Sequence, residues 1–252
     1  MLVVISPAKS FSKEVNAPAL NYSQPEYLES SEKLIGKLRG LSKKKFAELM
    51  NLSNDLAIMN IERHKNWQPP FAVEKADPAI FAFRGEVYLG LDSKSLNNND
   101  IKYAEDHLRI LSGLYGCLRP LDLIQPYRLE MGAKLKYYRK TNLYQFWGDT
   151  ITKNLNGLLI EEKVLINLAS NEYFKAVNAK KIKGRIITPV FKDLVNGEYK
   201  SLMTYAKRAR GLMSRYIIQE RIEEPELLKS FNSNGYCFSP EMSDERTFVF
   251  IR

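Results

Sequence analysis

Two short runs constrain the fold of this 252-residue chain most, Leu2 to Ile5 (LVVI) and Val164 to Leu168 (VLINL). Both are too short for a helix to bury, are rich in β-branched or branched apolar residues, and stop abruptly at polar ones, so each reads as a buried strand. Around them lie segments with helical period. Residues 25 to 66 read as successive helices, with Gly40 as a stop and Ser42 and Ser53 as N-caps. Residues 101 to 111 and 143 to 159 repeat apolar side chains at the 3.6 period, the second through Leu143, Phe146, Trp147, Ile151 and Leu155. Buried strands mixed with amphipathic helices predict an α/β (α+β mixed) protein with a mixed sheet and surrounding helices. With neither a Gly/Ser/Pro-rich linker nor an internal repeat, one interleaved domain over residues 1–252 is expected.

Two further strand regions follow from pattern. Residues 79 to 91 (AIFAFRGEVYLGL) alternate as a half-buried strand does, with Gly85 suggesting a bulge. Residues 185 to 206 form a hairpin about Asn196-Gly197, and Tyr236 to Ser239 pairs with Thr247 to Arg252 in a terminal hairpin.

Chemistry concentrates where strands stop. The first run ends in Ser6-Pro7-Ala8-Lys9, which delivers a cation to a sheet edge beside serines. The second ends in Ala169-Ser170-Asn171-Glu172-Tyr173, and strand ends of α/β proteins are where ligands commonly sit.

The densest stretch is residues 109 to 131, RILSGLYGCLRPLDLIQPYRLEM. Arg109, Arg119 and Arg128 recur among Gly113, Gly116, Tyr115, Tyr127 and two prolines. Glycines permit a tight reversal with exposed N–H groups, prolines mark corners, and guanidinium forks suit phosphate or carboxylate. Helix, then Ser112 to Gly116, then a short helical segment is the outline of a helix-hairpin-helix phosphate binder, although two residues separate the glycines where one is usual.

Charge points the same way. The net +9 is uneven: residues 134–215 carry 17 Lys and Arg against 6 Asp and Glu. Such a field attracts polyanions, so nucleic acid, met mainly through its phosphates, is the leading partner class. Within this region Arg208, Gly211, Ser214 and Arg215 share a helix face opposite Ala209, Leu212, Met213 and Tyr216, with a gap at Gly211 for a phosphate. Arg210 belongs to the same run. Lys43, Lys44 and Lys45, opening a helix, read as solvated.

Other classes are disfavoured. No apolar run reaches the eighteen or so residues that span a bilayer, and the N-terminus lacks a basic leader region, so a cytoplasmic protein without membrane contact is expected. Cys117 and Cys237 are too few for a disulfide scaffold, and with His64 and His107 they supply no metal-ligand spacing. Neither a P-loop nor a dinucleotide fingerprint appears, so no cofactor is expected, and no obligate protein partner is evident.

The segments LVVISPAKS, HLRILSGLYGCLRPLDLIQPYRLEMG, LYQFWGD, INLASNEYF and KRARGLMSRYII, in this order from residue 2 to about 239, together resemble the bacterial YaaA peroxide-stress family. The resemblance implies a cytoplasmic α/β protein of distinctive single-domain fold, with a positively charged cleft and a helix-hairpin-helix-like element, that binds DNA. It also implies protection against hydrogen peroxide and limitation of reactive intracellular iron. Carried onto this sequence, the matching positions are Lys9, Gly113, Gly116, Arg119, Arg128, Arg210 and Arg215, with Arg84 where a lysine is also acceptable.

Two rival readings remain. One is an enzyme acting on nucleic acid or a phosphorylated substrate in the same basic cleft, with Lys9, Asp149, Ser170 and Glu172 as its acid, base or nucleophile candidates. The other, an iron-sequestering protein, is poorly supplied with ligands. Under the binding reading Arg119, Arg128, Arg208 and Arg215 meet phosphates, the Gly113–Gly116 N–H groups receive another, Tyr115 or Tyr127 stacks on an unpaired base, and Lys9, Arg109, Ser170 and Arg210 complete the nucleic-acid-binding set.

Overall fold

The N-terminal apolar run becomes the centre of the main sheet. In the computed structural model, which describes residues 1–15, 17–159 and 164–252, β1 (Leu2–Ile5) is buried at every position. A two-residue strand follows, β2 (Ser10–Phe11), then helices α1 (Leu28–Arg39), α2 (Lys43–Met50) and α3 (Asn54–Asn66). Ser42 and Ser53 cap α2 and α3, each Oγ accepting the main-chain N–H three residues on.

Residues 79 to 91 are not one strand. β3 (Asp77–Pro78) leads into a single turn, α4 (Ala79–Ala82), then β4 (Phe83–Arg84) and α5 (Glu86–Leu91). The alternation misleads because Ala79 to Phe83 are all buried, so this stretch has no polar face for a half-buried strand to turn to water. Helix α5 is instead specified by a distant partner, the long helix at Met203–Gln219. A Cβ on Gly211 would lie 1.9 Å from the carbonyl oxygen of Val87, and one on Gly90 would lie 2.2 Å from that of Arg208. Only two glycines allow backbones to approach so closely.

Helix α6 (Asn98–His107) opens with a reciprocal Asn97–Asp100 capping box and stops at His107. The expected continuation to residue 111 is strand β5 (Leu108–Ser112), which turns through Gly113, Leu114 and Tyr115 into β6 (Gly116–Leu118). The central stretch is therefore a β-hairpin and not a helix-hairpin-helix. After β7 (Leu123–Ile124), the predicted helix at 143–159 is divided by Gly148, at φ +50, into α7 (Leu143–Trp147) and α8 (Thr150–Leu158).

Strand β8 (Val164–Leu168) matches its predicted span and is followed by one turn, α9 (Asn171–Phe174). β9 (Arg185–Val195) and β10 (Glu198–Lys200) meet at the Asn196-Gly197 turn, where both residues take positive φ. The chain closes with α10 (Met203–Gln219), β11 (Cys237–Phe238) and β12 (Thr247–Ile251), the last two antiparallel as the terminal hairpin predicts.

The main sheet is mixed and runs β11-β12-β9-β8-β1-β5-β6, with β10 paired to the end of β9. Its parallel strands are β5, β1, β8, β9 and β12. In chain order these stand 2-1-3-4-5. From β1 the chain passes to β5 on one side, and from β8 it passes to β9 on the other. The sheet thus has a topological switch point between β1 and β8, and crevices outside the carboxyl ends of such strands are where open α/β sheets bind ligands. Two short ladders, β2 with β4 and β3 with β7, fold the intervening segments over that region.

Candidate functional site

At the switch point Ser6 follows β1 and Ser170 follows β8. Ser6 Oγ accepts the main-chain N–H of Ser170 at 2.9 Å and donates to Ser170 Oγ at 3.3 Å. Beyond them opens a cavity of about 280 Å³. Three tertiary features build its walls. The β2–β4 ladder sets Ser10 opposite Arg84 and so carries Lys9 and Arg84 to one side. Helix α5 supplies Val87 and Tyr88, and the Tyr88 hydroxyl donates to the carbonyl of Ser6. Helix α10, pressed onto α5 at the glycine contact, presents Lys207 and Arg210, three residues apart on one face.

Four cations, Lys9, Arg84, Lys207 and Arg210, line this cavity with two carboxylates, Glu86 and Glu172. Glu172 is occupied, accepting the main-chain N–H of Gly132 at 2.9 Å. Lys9 pairs at 3.0 Å with Glu130, whose other oxygen lies 2.6 Å from Arg128. Arg210 is different. Half-buried, its guanidinium makes no hydrogen bond or ion pair among the described residues, and burial lowers its pKa with no acidic group opposing the shift. A desolvated cation of this kind favours an incoming anion, which replaces the solvation it has lost. The cavity continues past Arg84, Gly85 and Tyr88 into a second groove of about 560 Å³ that also carries Lys13 and Lys94 together with Glu14 and Asp92.

The structure therefore brings Lys9, Ser170, Glu172 and Arg210 together. Arg128 stands behind the wall, joined to it through Glu130, and its main-chain N–H donates to His64 Nε2. Burial, reinforced by Arg39 and Arg63, lowers the pKa of His64 to about 4, so the ring is neutral and can accept that bond.

The other predicted positions lie elsewhere. Arg109 is buried and donates to the carbonyls of Glu105 and Leu108. Arg119 holds buried Asp122 at 2.9 Å and the carbonyl of Gln24. Gly113 is packed against the carbonyl of Leu129, and its own carbonyl accepts from Trp147 Nε1. Gly116 takes φ +72 beneath the Trp147 ring. The hairpin N–H groups of Leu114 and Tyr115 are both directed to Ser112 Oγ, not outward. Tyr115 is fully buried, its hydroxyl accepting from Trp67 Nε1, and Tyr127 is buried against Ser112, so neither ring is exposed for stacking.

On α10 the expected gap at Gly211 is filled by α5. Ser214 is buried, donating to the carbonyl of Arg210, and Arg215 caps the carbonyls of Leu91 and Asp92. Arg208 remains exposed. Asp149 pairs with Lys181 on the surface, away from the cavity lining.

Sequence reasoning left Arg84, Lys207 and Ser6 out of the site set. Lys207 had a signal, since it opens the KRARG run and lies one helical turn before Arg210. Arg84 is placed only by pairing with Ser10, which no local pattern announces.

Two helices joined by a three-residue hairpin do occur, though away from the central stretch. They are α2 and α3, linked through Asn51 at φ +49, with Lys43, Lys44 and Lys45 exposed on α2. Burial pushes the Cys117 thiol up to about 12, which keeps it protonated at neutral pH, while Cys237 is exposed. Among the described residues no group of three or more His, Cys, Asp or Glu is placed to hold a metal ion, and no helix is long and apolar enough to cross a membrane.

Comparison with known proteins adds the family. Residues 1–242 match the family described as Peroxide stress protein YaaA. The UPF0246 protein of Neisseria gonorrhoeae is 50% identical over 254 residues, covering 100% of this chain and 98% of the relative. UPF0246 proteins of Aromatoleum aromaticum and Aliivibrio fischeri are each 51% identical, over 258 and 254 residues, again across 100% of this chain and 99% and 98% of their own lengths.

Proposed function

Because the chain belongs to the peroxide stress protein YaaA family, we propose that it serves the peroxide stress response by binding DNA through the cationic cavity and groove at the carboxyl edge of its sheet. Family membership supports the stress role. The observation that carries DNA as the ligand is the convergence of Lys9, Arg84, Lys207 and Arg210, from three separate places in the sequence, on one cavity that opens into a longer groove. Cations gathered from distant segments, in excess over the carboxylates Glu86 and Glu172, form a track for a phosphate backbone. The exposed Lys43 to Lys45 on α2, beside the α2–α3 hairpin, offer a second set of backbone contacts.

Binding is favoured over catalysis by the site's own bonds. Ser6 and Ser170 are hydrogen-bonded to each other, and neither His64 nor His107 lines the cavity to activate them. The link to reactive iron is then indirect: DNA held by protein is shielded from oxidants generated nearby, with no requirement that the chain itself hold iron.

Titration of a fluorescent duplex with the purified chain, repeated at several salt concentrations, tests this. Binding that weakens as salt rises is expected, and absence of binding at low salt contradicts the proposal.

A further inference from the structure

The cavity at the switch point is built for a smaller and more highly charged group than the backbone of a duplex. At about 280 Å³ it lies at the lower end of small-molecule pockets and has no room for a double helix. A duplex lying across the mouth keeps its internucleotide phosphates on its own surface. Two of its donors are recessed: Arg210 is half-buried, and Ser170 is hydrogen-bonded to Ser6 at the strand ends.

Charge and donors narrow the ligand further. The lining has four cations and two carboxylates, an excess of two positive charges, and including the Glu130–Arg128 pair behind Lys9 leaves that excess unchanged. A carboxylate or an internucleotide phosphodiester brings one negative charge, whereas a terminal phosphate brings about 1.5 to 2 at neutral pH. With Ser6 donating to Ser170 Oγ, the Ser170 hydroxyl hydrogen has no acceptor among the described residues. Arg210 likewise has its full donor fork uncommitted, whereas the other half-buried or buried arginines, Arg63, Arg109, Arg119, Arg128, Arg215 and Arg252, all hold protein groups. Val87, Tyr88 and Tyr173 add apolar lining for the body that carries the phosphate.

We infer that this cavity receives a phosphomonoester on a body of about mononucleotide size, with Arg210 and Lys207 at the phosphate oxygens and Ser170 Oγ donating to another. The inference deepens the DNA-binding reading and rests on the same edge of the sheet as an anion site. The phosphate has two possible sources, a free mononucleotide or the phosphorylated end of a DNA strand.

Calorimetric titration of the full chain separates them. The probes are deoxyadenosine 5′-monophosphate, deoxyadenosine, and one oligonucleotide duplex prepared with 5′-phosphate or 5′-hydroxyl ends. The monophosphate is expected to bind at least about tenfold more tightly than the nucleoside. Arg210→Gln and the surface variant Lys207→Ala should each weaken monophosphate binding by about ten- to a hundredfold while leaving the weak nucleoside binding unchanged. Lys207 is exposed, so its variant keeps the test valid if Arg210→Gln fails to fold. A preference for the 5′-phosphorylated duplex assigns the site to strand ends. Equal binding of the two duplexes, with the monophosphate preference retained, assigns it to free nucleotides. Both outcomes support the inference. It is overturned if the monophosphate binds no better than deoxyadenosine and the two duplexes bind alike. Salt-dependent duplex binding in that case would leave the DNA reading standing without it.

Discussion

Ser6 Oγ accepts the main-chain N–H of Ser170 at 2.9 Å and so ties together the carboxyl ends of two parallel strands from which the chain winds in opposite directions. The bond fixes the floor of the cavity before any ligand arrives. Ser6→Ala leaves the Ser170 N–H without its acceptor at a largely buried position, and a loss of about 1 kcal/mol is expected. Urea denaturation measures it, and faster hydrogen exchange at the Ser170 amide should accompany it.

Gly211→Ala tests the α5–α10 contact. Its Cβ would fall 1.9 Å from the carbonyl oxygen of Val87, a backbone atom that cannot move aside without displacing α5. Destabilisation of about 3 kcal/mol is expected. Since the same helices carry Tyr88, Lys207 and Arg210 to the cavity, DNA affinity should fall as well. A variant that is stable and binds normally would mean that the two helices are not held as described.

Legibility in the sequence followed the range of the determining contacts. Val164 to Leu168, the Asn196-Gly197 turn and the serine caps are set by neighbours within a few residues, and pattern alone finds them. Residues 79 to 91 were misread because their structure depends on a helix more than a hundred residues away, and the enclosed part, Ala79 to Phe83, lacks the polar alternation that reports which side is out. Glycines and arginines at 109 to 131 suggested a ligand site. Gly113 and Gly116 are small to admit Leu129, Glu130 and Trp147, and Arg109 and Arg119 bond the protein's own oxygens. Composition cannot tell a guanidinium that binds a ligand from one that binds a carbonyl. Lys9 and Ser170 could be singled out because strand ends have a general meaning, Arg210 entered through the family motif and not through the helix face at Arg208, Gly211, Ser214 and Arg215, and the place of Arg84 needed its pairing with Ser10.

Arg119 should prove structural. Its guanidinium holds Asp122, which is 1% exposed, together with the carbonyl of Gln24. Arg119→Ala should cost about 2 kcal/mol, partly screened because the arginine itself is 42% exposed. DNA affinity per folded molecule should not change. Melting curves and binding isotherms on the same preparation check both statements.

His64 gives the fold a sensitivity to acid. Its pKa is about 4 in the folded protein against 6.5 for a free ring, so the unfolded chain takes up a proton first. The contribution is complete above pH 6.5 and is lost as pH falls toward 4, by about 3 kcal/mol in total. Protonation also places an N–H against the main-chain N–H of Arg128. Stability of the wild type should fall more steeply over this range than that of His64→Gln, a comparison that removes the opposing effect of Glu105 and Asp122, whose pKa values burial raises. Parallel curves would contradict the assignment.

The salt dependence of DNA affinity tests the central claim most directly, measured for the wild type and for Arg84→Ala combined with Lys207→Ala. Both replaced side chains are exposed and unpaired among the described residues, so the fold should be retained. If about four cations at the carboxyl edge neutralise phosphates, log K against log[salt] should have a slope of roughly −3 to −4 in the wild type, and the double variant should lose about 2 from its magnitude. An unchanged slope in the variant, or a salt-independent affinity in the wild type, would show that DNA is not held at this edge of the sheet.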